Sequence, residues 1–326
     1  MNCRICDYSI TEKPLAVKEM MFGTGHSYLY LHCSNCGCLQ IAEPEHDSSR
    51  LYPSNYYSFN TYKHSGIISS IKKLIIRYSV AKALGHNSLV AFFLADPERS
   101  CGAYSLAGRI TKSSVILDVG CGDGKLIDAL FWCGYKSVTG VDPYLPEDID
   151  NGKYQRLKKN LEDIGGEQQY DIIMMHHSFE HVEHPYETFA NIKRLLRQDG
   201  LCIIRIPVSD SYAFEKYREN WVQLDAPRHI FLHTNKSINM LAEKCGLKVS
   251  SINNDSGLFQ FAGSEQYKRG IPIHASNSFF VSPQKKLFYN KKHIFSKDAL
   301  QLFKKEAERL NNEGLGDQRI YYIQHS

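Results

Sequence analysis

The chain has 326 residues, of which 43% are hydrophobic, 12% aromatic and 23% charged, and its formal net charge is +4 at pH 7. This length favours one large domain with an appendage, or two domains, and the apolar fraction is ample for a buried core. The small net charge lacks the concentrated lysine and arginine of an obligate nucleic-acid binder. No apolar run approaches the roughly 20 residues that cross a bilayer, and no secretory signal pattern is present. We therefore expect a cytoplasmic protein without a membrane span.

The first predicted element is an N-terminal region with two C-x-x-C pairs, separated by 26 residues. Each pair can close a tight turn with two thiolates, and two such pairs suit one tetrahedral zinc ion. Cys38 is a spare thiol, and His26 or His32 could replace one ligand. Four thiolates leave no open position for a substrate, so this zinc should be structural and take no part in the chemistry. The expected ligands are Cys3, Cys6, Cys33 and Cys36.

Changes in composition and hydrophobic pattern along the chain predict four segments. Residues 1–62 form the zinc-binding domain, and residues 63–113 a helical connector with apolar residues at helical spacing opposite lysine and arginine. That helix could lie on a membrane surface, although packing beneath a neighbouring domain is favoured. Residues 114–254 alternate between strand and helix signals, which predicts a parallel sheet with helices on both faces. Residues 255–326 are expected to form an extension that contributes to the substrate pocket.

The most informative motif is the segment ILDVGCGDG, in which a predicted buried strand turns into a helix. Gly120, Gly122 and Gly124 permit positive φ there and let a ligand approach the backbone. Asp142 ends the next predicted strand, where an acidic side chain can accept both ribose hydroxyls of an adenosine-containing ligand. Asp123 would repel a pyrophosphate but tolerates a cationic sulfonium. The turn therefore favours a cationic adenosine ligand over a dinucleotide.

ILDVGCGDG, VTGVDP, YDIIMMHHSFEHVEHP and LRQDGLCIIRIPV occur in the order and spacing of the motifs of the class I S-adenosylmethionine (SAM)-dependent methyltransferases, which residues 114–250 resemble. The resemblance implies a Rossmann-like, seven-stranded α/β core and SAM as the cofactor. It places the glycine turn around the methionine moiety, Asp118 in support of that turn and Asp142 on the ribose. The implied cofactor-binding residues are Asp118, Gly120, Cys121, Gly122, Gly124, Asp142, Asn160, Leu161 and His177.

Cysteine pairs joined to such a core also resemble sugar methyltransferases, including C-methyltransferases of nucleotide-linked deoxysugars and relatives from surface-polysaccharide pathways. The segments that carry this resemblance are CRIC, CSNCG, LYPSNYYSF, WVQLDAPRHIFLHT and LNNEGLGDQ. It implies a small-molecule, nucleotide-linked sugar as the acceptor. Arg228 could grip a diphosphate or carboxylate through its planar fork. Trp221, Tyr56 and Tyr57 could stack on a sugar or base, or could instead pack the two domains together.

The segment HHSFEHVEHP contains, from His177 to His181, the H-x-x-E-H spacing of one class of zinc proteases. In those proteases the motif lies within a helix, whereas here His177 ends a predicted strand, so a protease is strongly disfavoured. In the methyltransferase family this place begins the loop after the fourth strand, on the rim where ligands gather. Methyl transfer usually requires loss of one proton, and a histidine suits that task. His181 is the first candidate base, with Glu180 orienting it or contacting substrate, and His229 is the second; His181 could instead cap its helix or contact the cofactor.

The sequence thus predicts a SAM-dependent methyltransferase that acts on a sugar in nucleotide-linked form. Two alternatives stay open. One is an RNA methyltransferase with a zinc knuckle, which the modest charge disfavours. The other is a catalytically silent SAM-binding scaffold. The identity of the sugar, the choice between carbon and oxygen, and the oligomeric state are not indicated by the sequence.

Overall fold

The computed structural model describes residues 1–46, 51, 67–86, 89–96, 100, 102–150, 154–280 and 293–326. Tyr56 and Tyr57, two of the expected substrate contacts, lie outside these residues. The helices and strands, in chain order, are β1 (Leu15–Lys18), β2 (Ser27–His32), β3 (Leu39–Ile41), α1 (Ile67–Ala83), α2 (Leu89–Leu94), β4 (Ile116–Val119), α3 (Lys125–Trp132), β5 (Val138–Val141), β6 (Ile149–Asp150), β7 (Gln155–Leu157), β8 (Tyr170–His176), α4 (Pro185–Leu195), β9 (Leu196–Pro207), α5 (Tyr212–Tyr217), β10 (Phe231–Leu232), α6 (Asn235–Lys244), β11 (Leu247–Asn254), α7 (Phe259–Lys268), α8 (Lys297–Asn312) and β12 (Gln318–His325).

The chain divides into two compact units, and each is assembled from three separate stretches of sequence. The cysteine unit contains Met1–Tyr57, Phe179–Tyr186 and Arg205–Tyr321, and the sheet unit contains Ser58–Ser178, Glu187–Ile204 and Tyr322–Ser326. The units therefore interleave along the chain, whereas the sequence predicted four segments in succession.

In the sheet unit the strands lie in the order β9-β8-β4-β5-β7-β6. β4 pairs in parallel with both β5 and β8, and β5 pairs in parallel with β7, whereas the edge strand β6 is antiparallel. All four residues of β4 are buried, as expected of a central parallel strand that is covered on both faces. The chain leaves β4 towards β5 on one side and returns to β8 on the other. The carboxyl end of β4 is therefore the switch point at which open α/β sheets bind ligands.

Helices of the sheet unit follow the expected patterns. In α3 the buried residues Leu126, Ile127, Ala129 and Leu130 lie at helical spacing and form one apolar face. The helical connector is two helices, α1 and α2, and the break between them contains Gly85, whose φ of 87° ends a helix without strain. Among the described residues, no helix is long and apolar enough to span a membrane.

The cysteine unit is built on a four-stranded sheet in the order β1-β2-β3-β10. β1, β2 and β3 form antiparallel hairpins, and β10 joins them by pairing Phe231 with Gln40 and Leu232 with Leu39. The N-terminal residues thus share one sheet with the WVQLDAPRHIFLHT segment. The core beside the sheet contains Val17, Tyr30, Leu39, Ile41, Ala213, Phe214, Tyr217, Trp221, Leu224, Ala226, Leu232, Phe261, Ala307 and Leu310.

Candidate functional site

The glycine turn follows β4 directly, and it has no room for a side chain at Gly120 or Gly124. Gly120, Gly122 and Gly124 have φ angles of 76°, 50° and 73°, in the left-handed region that favours glycine. A Cβ atom on Gly120 would lie 2.4 Å from the Cβ of Ser178, and one on Gly124 would lie 2.4 Å from the Cδ of Arg156. Side chains of Ser178 and Arg156 therefore fill the space beside Gly120 and Gly124, and only glycine fits at these two positions.

Asp142 stands at the carboxyl end of β5, next to this turn. Its two carboxylate oxygens accept hydrogen bonds from the backbone N–H groups of Gly122 at 3.0 Å and Tyr144 at 2.9 Å. Each oxygen keeps further lone pairs, so the carboxylate can also accept two ribose hydroxyls. Burial raises the pKa of Asp142, although these two hydrogen bonds oppose the rise. The predicted ribose acceptor is thus held in a fixed orientation.

A second buried carboxyl, Asp118, lies within β4. Burial first, and then the negative charge of Asp142, raise the pKa of Asp118 to about 7. Burial and these same two carboxylates also raise the pKa of the Cys121 thiol, so it stays protonated and is not a nucleophile. With a pKa of about 7, Asp118 is only partly ionised near neutral pH, and the negative charge that the two carboxyls carry favours a ligand with positive charge.

Two side chains that sequence reasoning missed support the turn. Arg156, in β7, is buried, and its Nη1 donates a hydrogen bond to the backbone carbonyl of Asp123. Ser178 donates from Oγ to the carbonyl of Val119 at 2.8 Å. Ser178 lies in the HHSFEHVEHP segment, whose motif points to the histidines and the glutamate and not to the serine. Arg156 lies in a three-residue strand whose sequence carries no comparable signal.

Asn160, Leu161 and His177 are the remaining predicted cofactor-binding residues. The backbone N–H of Asn160 donates to Asp163 at 3.1 Å, so Asn160 begins a short 3₁₀ turn. Leu161 is buried in that turn, and His177 is exposed with a φ of 52°. The role of Asn160 and Leu161 at the adenine and the role of His177 in cofactor binding stay predictions. The turn, Asp118 and Asp142 together fit SAM.

In the cysteine unit, the three predicted catalytic residues come together. Ligand-type atoms of Glu180, His181 and His229 all lie within 4.8 Å of one another. The two imidazole ring centroids are 4.9 Å apart, and His229 Nε2 lies 3.9 Å from Glu180 Oε1. The backbone N–H of Ile230 donates to the carbonyl of Glu180 at 2.8 Å, which joins the two segments of chain. The structure thus forms one cluster from a strand end and a distant loop.

Backbone carbonyls fix the tautomers of both histidines. His181 Nδ1 lies 2.8 Å from the carbonyl oxygen of Arg228, and His229 Nδ1 lies 2.7 Å from that of Gln223. A carbonyl only accepts, so Nδ1 carries the proton and Nε2 of each neutral ring is an acceptor. Burial, followed by the neighbouring His229, lowers the pKa of His181. His181 is therefore neutral near pH 7 and can accept a proton on Nε2.

Arg228 and Trp221 do not present their side chains for substrate binding as predicted. The Arg228 guanidinium is completely buried and pairs with Asp225 through bonds of 2.9 and 2.5 Å and with Glu19 at 3.1 Å. Its charge is therefore already matched by two carboxylates of the chain. Trp221 is also completely buried and donates from Nε1 to Asp317 at 2.9 Å. It is a core residue rather than a stacking platform.

The four N-terminal cysteines converge as the zinc prediction requires. Sγ of Cys3 lies 3.6 Å from that of Cys36, and Sγ of Cys6 lies 3.5 Å from that of Cys33. All four sulfurs lie within 4.8 Å of one another. A tetrahedron of four thiolates around zinc at about 2.3 Å has sulfurs about 3.8 Å apart, which these distances approach. The arrangement fits a closed structural zinc site.

Three residues considered as substitute ligands lie outside this cluster. Cys38 is buried and donates from Sγ to the carbonyl of Leu39 at 3.4 Å. His32 pairs with Glu12 at 2.9 Å, and His26 is exposed. The second cysteine turn is held instead by α6, because Thr234 donates to the carbonyl of Cys36 at 2.6 Å. The predicted four-cysteine set is therefore the one that the fold brings together.

Residues 95–252 match the family model described as a methyltransferase domain. Among curated proteins, the ubiquinone biosynthesis O-methyltransferase of Rickettsia bellii (strain OSU 85-389) is 34% identical over 98 residues, covering 27% of this chain and 40% of that protein. The enzyme of the same name from Rickettsia conorii is 31% identical over 98 residues, covering 27% of this chain and 33% of that protein. The chain thus spans well under two thirds of the length of these relatives.

Solved structures with a similar fold include a SAM-dependent methyltransferase from Archaeoglobus fulgidus, 17% identical, with a TM-score of 0.39 over 66% of this chain and 86% of that chain. Another is the 1,6-didemethyltoxoflavin-N1-methyltransferase of Burkholderia thailandensis, 15% identical, with a TM-score of 0.38 over 68% of this chain and 89% of that chain. Similarities with sequence identities and TM-scores this low carry no information about the substrate.

Proposed function

We propose that this protein, which carries a class I SAM-dependent methyltransferase domain in residues 95–252, transfers the methyl group of SAM to a small polyhydroxylated acceptor. The α/β fold expected from the sequence is confirmed, and the family model and the curated relatives support the methyltransferase class. The acceptor and the residues that act on it form the proposal.

The observation that carries the proposal is the pairing of the glycine turn with Asp142 at adjacent parallel strand ends. Gly120 and Gly124 have no room for a side chain, and Gly122 donates its N–H to the carboxylate that would bind the ribose. Asp118 adds a second buried acidic group. These features together suit a cationic adenosine ligand, and a dinucleotide would lack both the charge match and the usual turn.

When bound, SAM supplies an electrophilic methyl group on a sulfonium. The protein must then orient the acceptor and remove its proton, and orientation alone can lower the barrier by several kcal/mol. His181, neutral and with Nε2 as an acceptor, is the first candidate for the base. His229 is the second candidate, and Glu180 lies close enough to stabilise the positive charge that either ring would gain. The four-cysteine zinc would stabilise the cysteine unit and supply no chemistry.

A nucleotide-linked sugar is the first acceptor class, supported by the resemblance of the cysteine pairs and of WVQLDAPRHIFLHT to sugar methyltransferases. The curated relatives favour a second class, an intermediate of ubiquinone biosynthesis that is methylated on oxygen. Because Arg228 is buried and paired, the diphosphate of a nucleotide sugar would need a cation other than Arg228.

The test is to incubate the protein with SAM and separate panels of nucleotide sugars, ubiquinone-pathway intermediates and RNA, and to look for a mass gain of one methyl group. A methylated sugar supports the first acceptor class, and a methylated ubiquinone intermediate replaces it with the second. Methylated RNA, with no small-molecule product, would overturn the proposal. Binding of SAM without any product from these panels would favour the silent scaffold.

The base is tested by His181→Ala, with His184→Ala as the matched control, because His184 is an exposed histidine of the same segment. We expect His181→Ala to bind SAM normally and to lose about 10²- to 10⁴-fold in turnover, the usual worth of a general base. Full activity in His181→Ala together with loss in His229→Ala would assign the base to His229.

A further inference from the structure

We propose that Glu19 and Asp225 are positioning residues that act through Arg228 to set the orientation and tautomer of His181. This inference rests on the proposed function, in which His181 acts on the acceptor. It gives the N-terminal hairpin a part in catalysis that the zinc site alone does not provide.

A buried ion-pair network surrounds Arg228. Asp225 holds the guanidinium by two bonds, to Nε at 2.9 Å and to Nη2 at 2.5 Å, and Glu19 holds Nη2 at 3.1 Å. The Arg228 side chain is completely buried, and only 4% of the Glu19 side chain and 10% of that of Asp225 are exposed. Two-point carboxylate pairing fixes the plane of an arginine, which a single point charge could not do.

Backbone hydrogen bonds link the ordered Arg228 to the rest of its loop. The N–H groups of Arg228 and His229 donate to the carbonyl of Asp225 at 2.9 and 3.3 Å. Tyr30 donates from its hydroxyl to the carbonyl of His229 at 2.7 Å. The Arg228 carbonyl shares one planar peptide with the His229 N–H, so the bond from that N–H to Asp225 fixes the direction of the carbonyl. That carbonyl is the partner of His181 Nδ1 at 2.8 Å.

Glu19 is itself held in place by the turn that follows it. It accepts the backbone N–H groups of Phe22 and Thr24, each at 2.9 Å, and the Thr24 hydroxyl at 3.1 Å. Although burial raises its pKa, these N–H groups and the charge of Arg228 outweigh burial, and the pKa of Glu19 is lowered. The carboxylate is therefore ionised near neutral pH, and it ties the β1–β2 turn to the histidine loop.

The test replaces Glu19 by glutamine, which keeps an amide oxygen for the turn but removes the charge that faces Arg228. With ¹⁵N-labelled histidine, long-range ¹H–¹⁵N spectra report which ring nitrogen carries the proton, and His181→Ala and His229→Ala assign the two signals. The intact protein should show Nδ1–H for both rings. Glu19→Gln should shift the His181 ring to a mixture of tautomers, lower kcat by about tenfold or more, and leave the Kd for SAM and the KM for the acceptor within about twofold.

The matched control is Glu12→Gln, because Glu12 is an exposed carboxylate from the same part of the chain, paired with His32. It should change neither the spectrum nor kcat. Glu19→Asp keeps the charge and should recover most of the native spectrum, which also covers the case in which Glu19→Gln folds poorly. A native spectrum and native kcat in Glu19→Gln, even with a lower Tm, would overturn the inference.

The spectra separate this inference from the proposed function. If no acceptor is methylated but the tautomers respond to Glu19, positioning holds and the proposed reaction is wrong. If turnover is found and the tautomers ignore Glu19, the reaction holds and the positioning role is wrong.

Discussion

Gly120→Ala is the most direct test of the glycine turn, because a methyl group at this residue meets two separate obstacles. Gly120 has a φ of 76°, where an alanine is strained by about 1–2 kcal/mol. The new Cβ would lie 2.4 Å from the Cβ and 3.0 Å from the Oγ of Ser178. Ser178 cannot turn away freely, because its hydroxyl donates to the carbonyl of Val119. Relief of the overlap therefore requires the backbone to move.

Overpacking of this kind costs about 1–3 kcal/mol, so the two effects together give about 2–5 kcal/mol. The cost falls on stability if the turn keeps its shape, and on SAM affinity if the turn moves. Because about 1.4 kcal/mol corresponds to a tenfold change in Kd, the loss is measurable in either form. We expect the free energy of unfolding in saturating SAM, which includes both terms, to fall by at least about 2 kcal/mol.

The assay is urea unfolding of the protein with and without SAM, together with calorimetric measurement of the Kd for SAM. Gly165→Ala is the matched control, since no atom lies within 4 Å of its added Cβ and its φ is not positive. Ser178→Gly in the Gly120→Ala background removes the overlap but not the φ strain, and should recover about half of the loss. If Gly120→Ala behaves like Gly165→Ala in both stability and Kd, the inferred tight packing of Gly120 against Ser178 is wrong.

Three further outcomes are expected. Zinc analysis should find one ion per chain, retained in Cys38→Ser and lost or greatly weakened in Cys3→Ser; equal loss in both would contradict the assigned cluster. Arg156→Ala removes the donor to the Asp123 carbonyl and should raise the Kd for SAM about tenfold, corresponding to about 1.5 kcal/mol, with calorimetry as the measurement and an unchanged Kd as the refuting result. Since burial and a neighbouring histidine lower the pKa of His181, its neutral form persists below pH about 6.5, and kcat should fall only at more acidic pH. An acidic decline centred above pH 7 would exclude His181 as the base.

The parts of the site that the sequence predicted are those that depend on local chain geometry. A glycine turn after a buried strand and an acidic residue at the next strand end are close in sequence, and parallel pairing brings strand ends to one edge of a sheet. The four cysteines were predictable for a similar reason, because each pair lies in its own tight turn. His181 was predicted as the base from its place after a strand, and that role stays a prediction.

The parts that the sequence did not predict depend on partners far away along the chain. Arg228 has its carboxylate partner Glu19 at a separation of 209 residues, and Trp221 donates to Asp317 at a separation of 96. Each residue type is common both at binding sites and in buried networks, and only the fold decides between them. Arg156 was missed because nothing in a three-residue strand indicates which turn it supports.

The interleaving of the two units has a consequence for protein synthesis. Residues 322–326 belong to the sheet unit, where the Tyr322 hydroxyl donates to the carbonyl of Ser105 at 3.2 Å and His325 Nε2 lies 3.2 Å from the carbonyl oxygen of Leu196. On the ribosome, the sheet unit therefore cannot complete its packing until residues 322–326 emerge, long after the glycine turn has been made. An excised fragment of residues 95–252 would lack them, and we expect nascent chains stopped before Tyr322 to remain sensitive to protease.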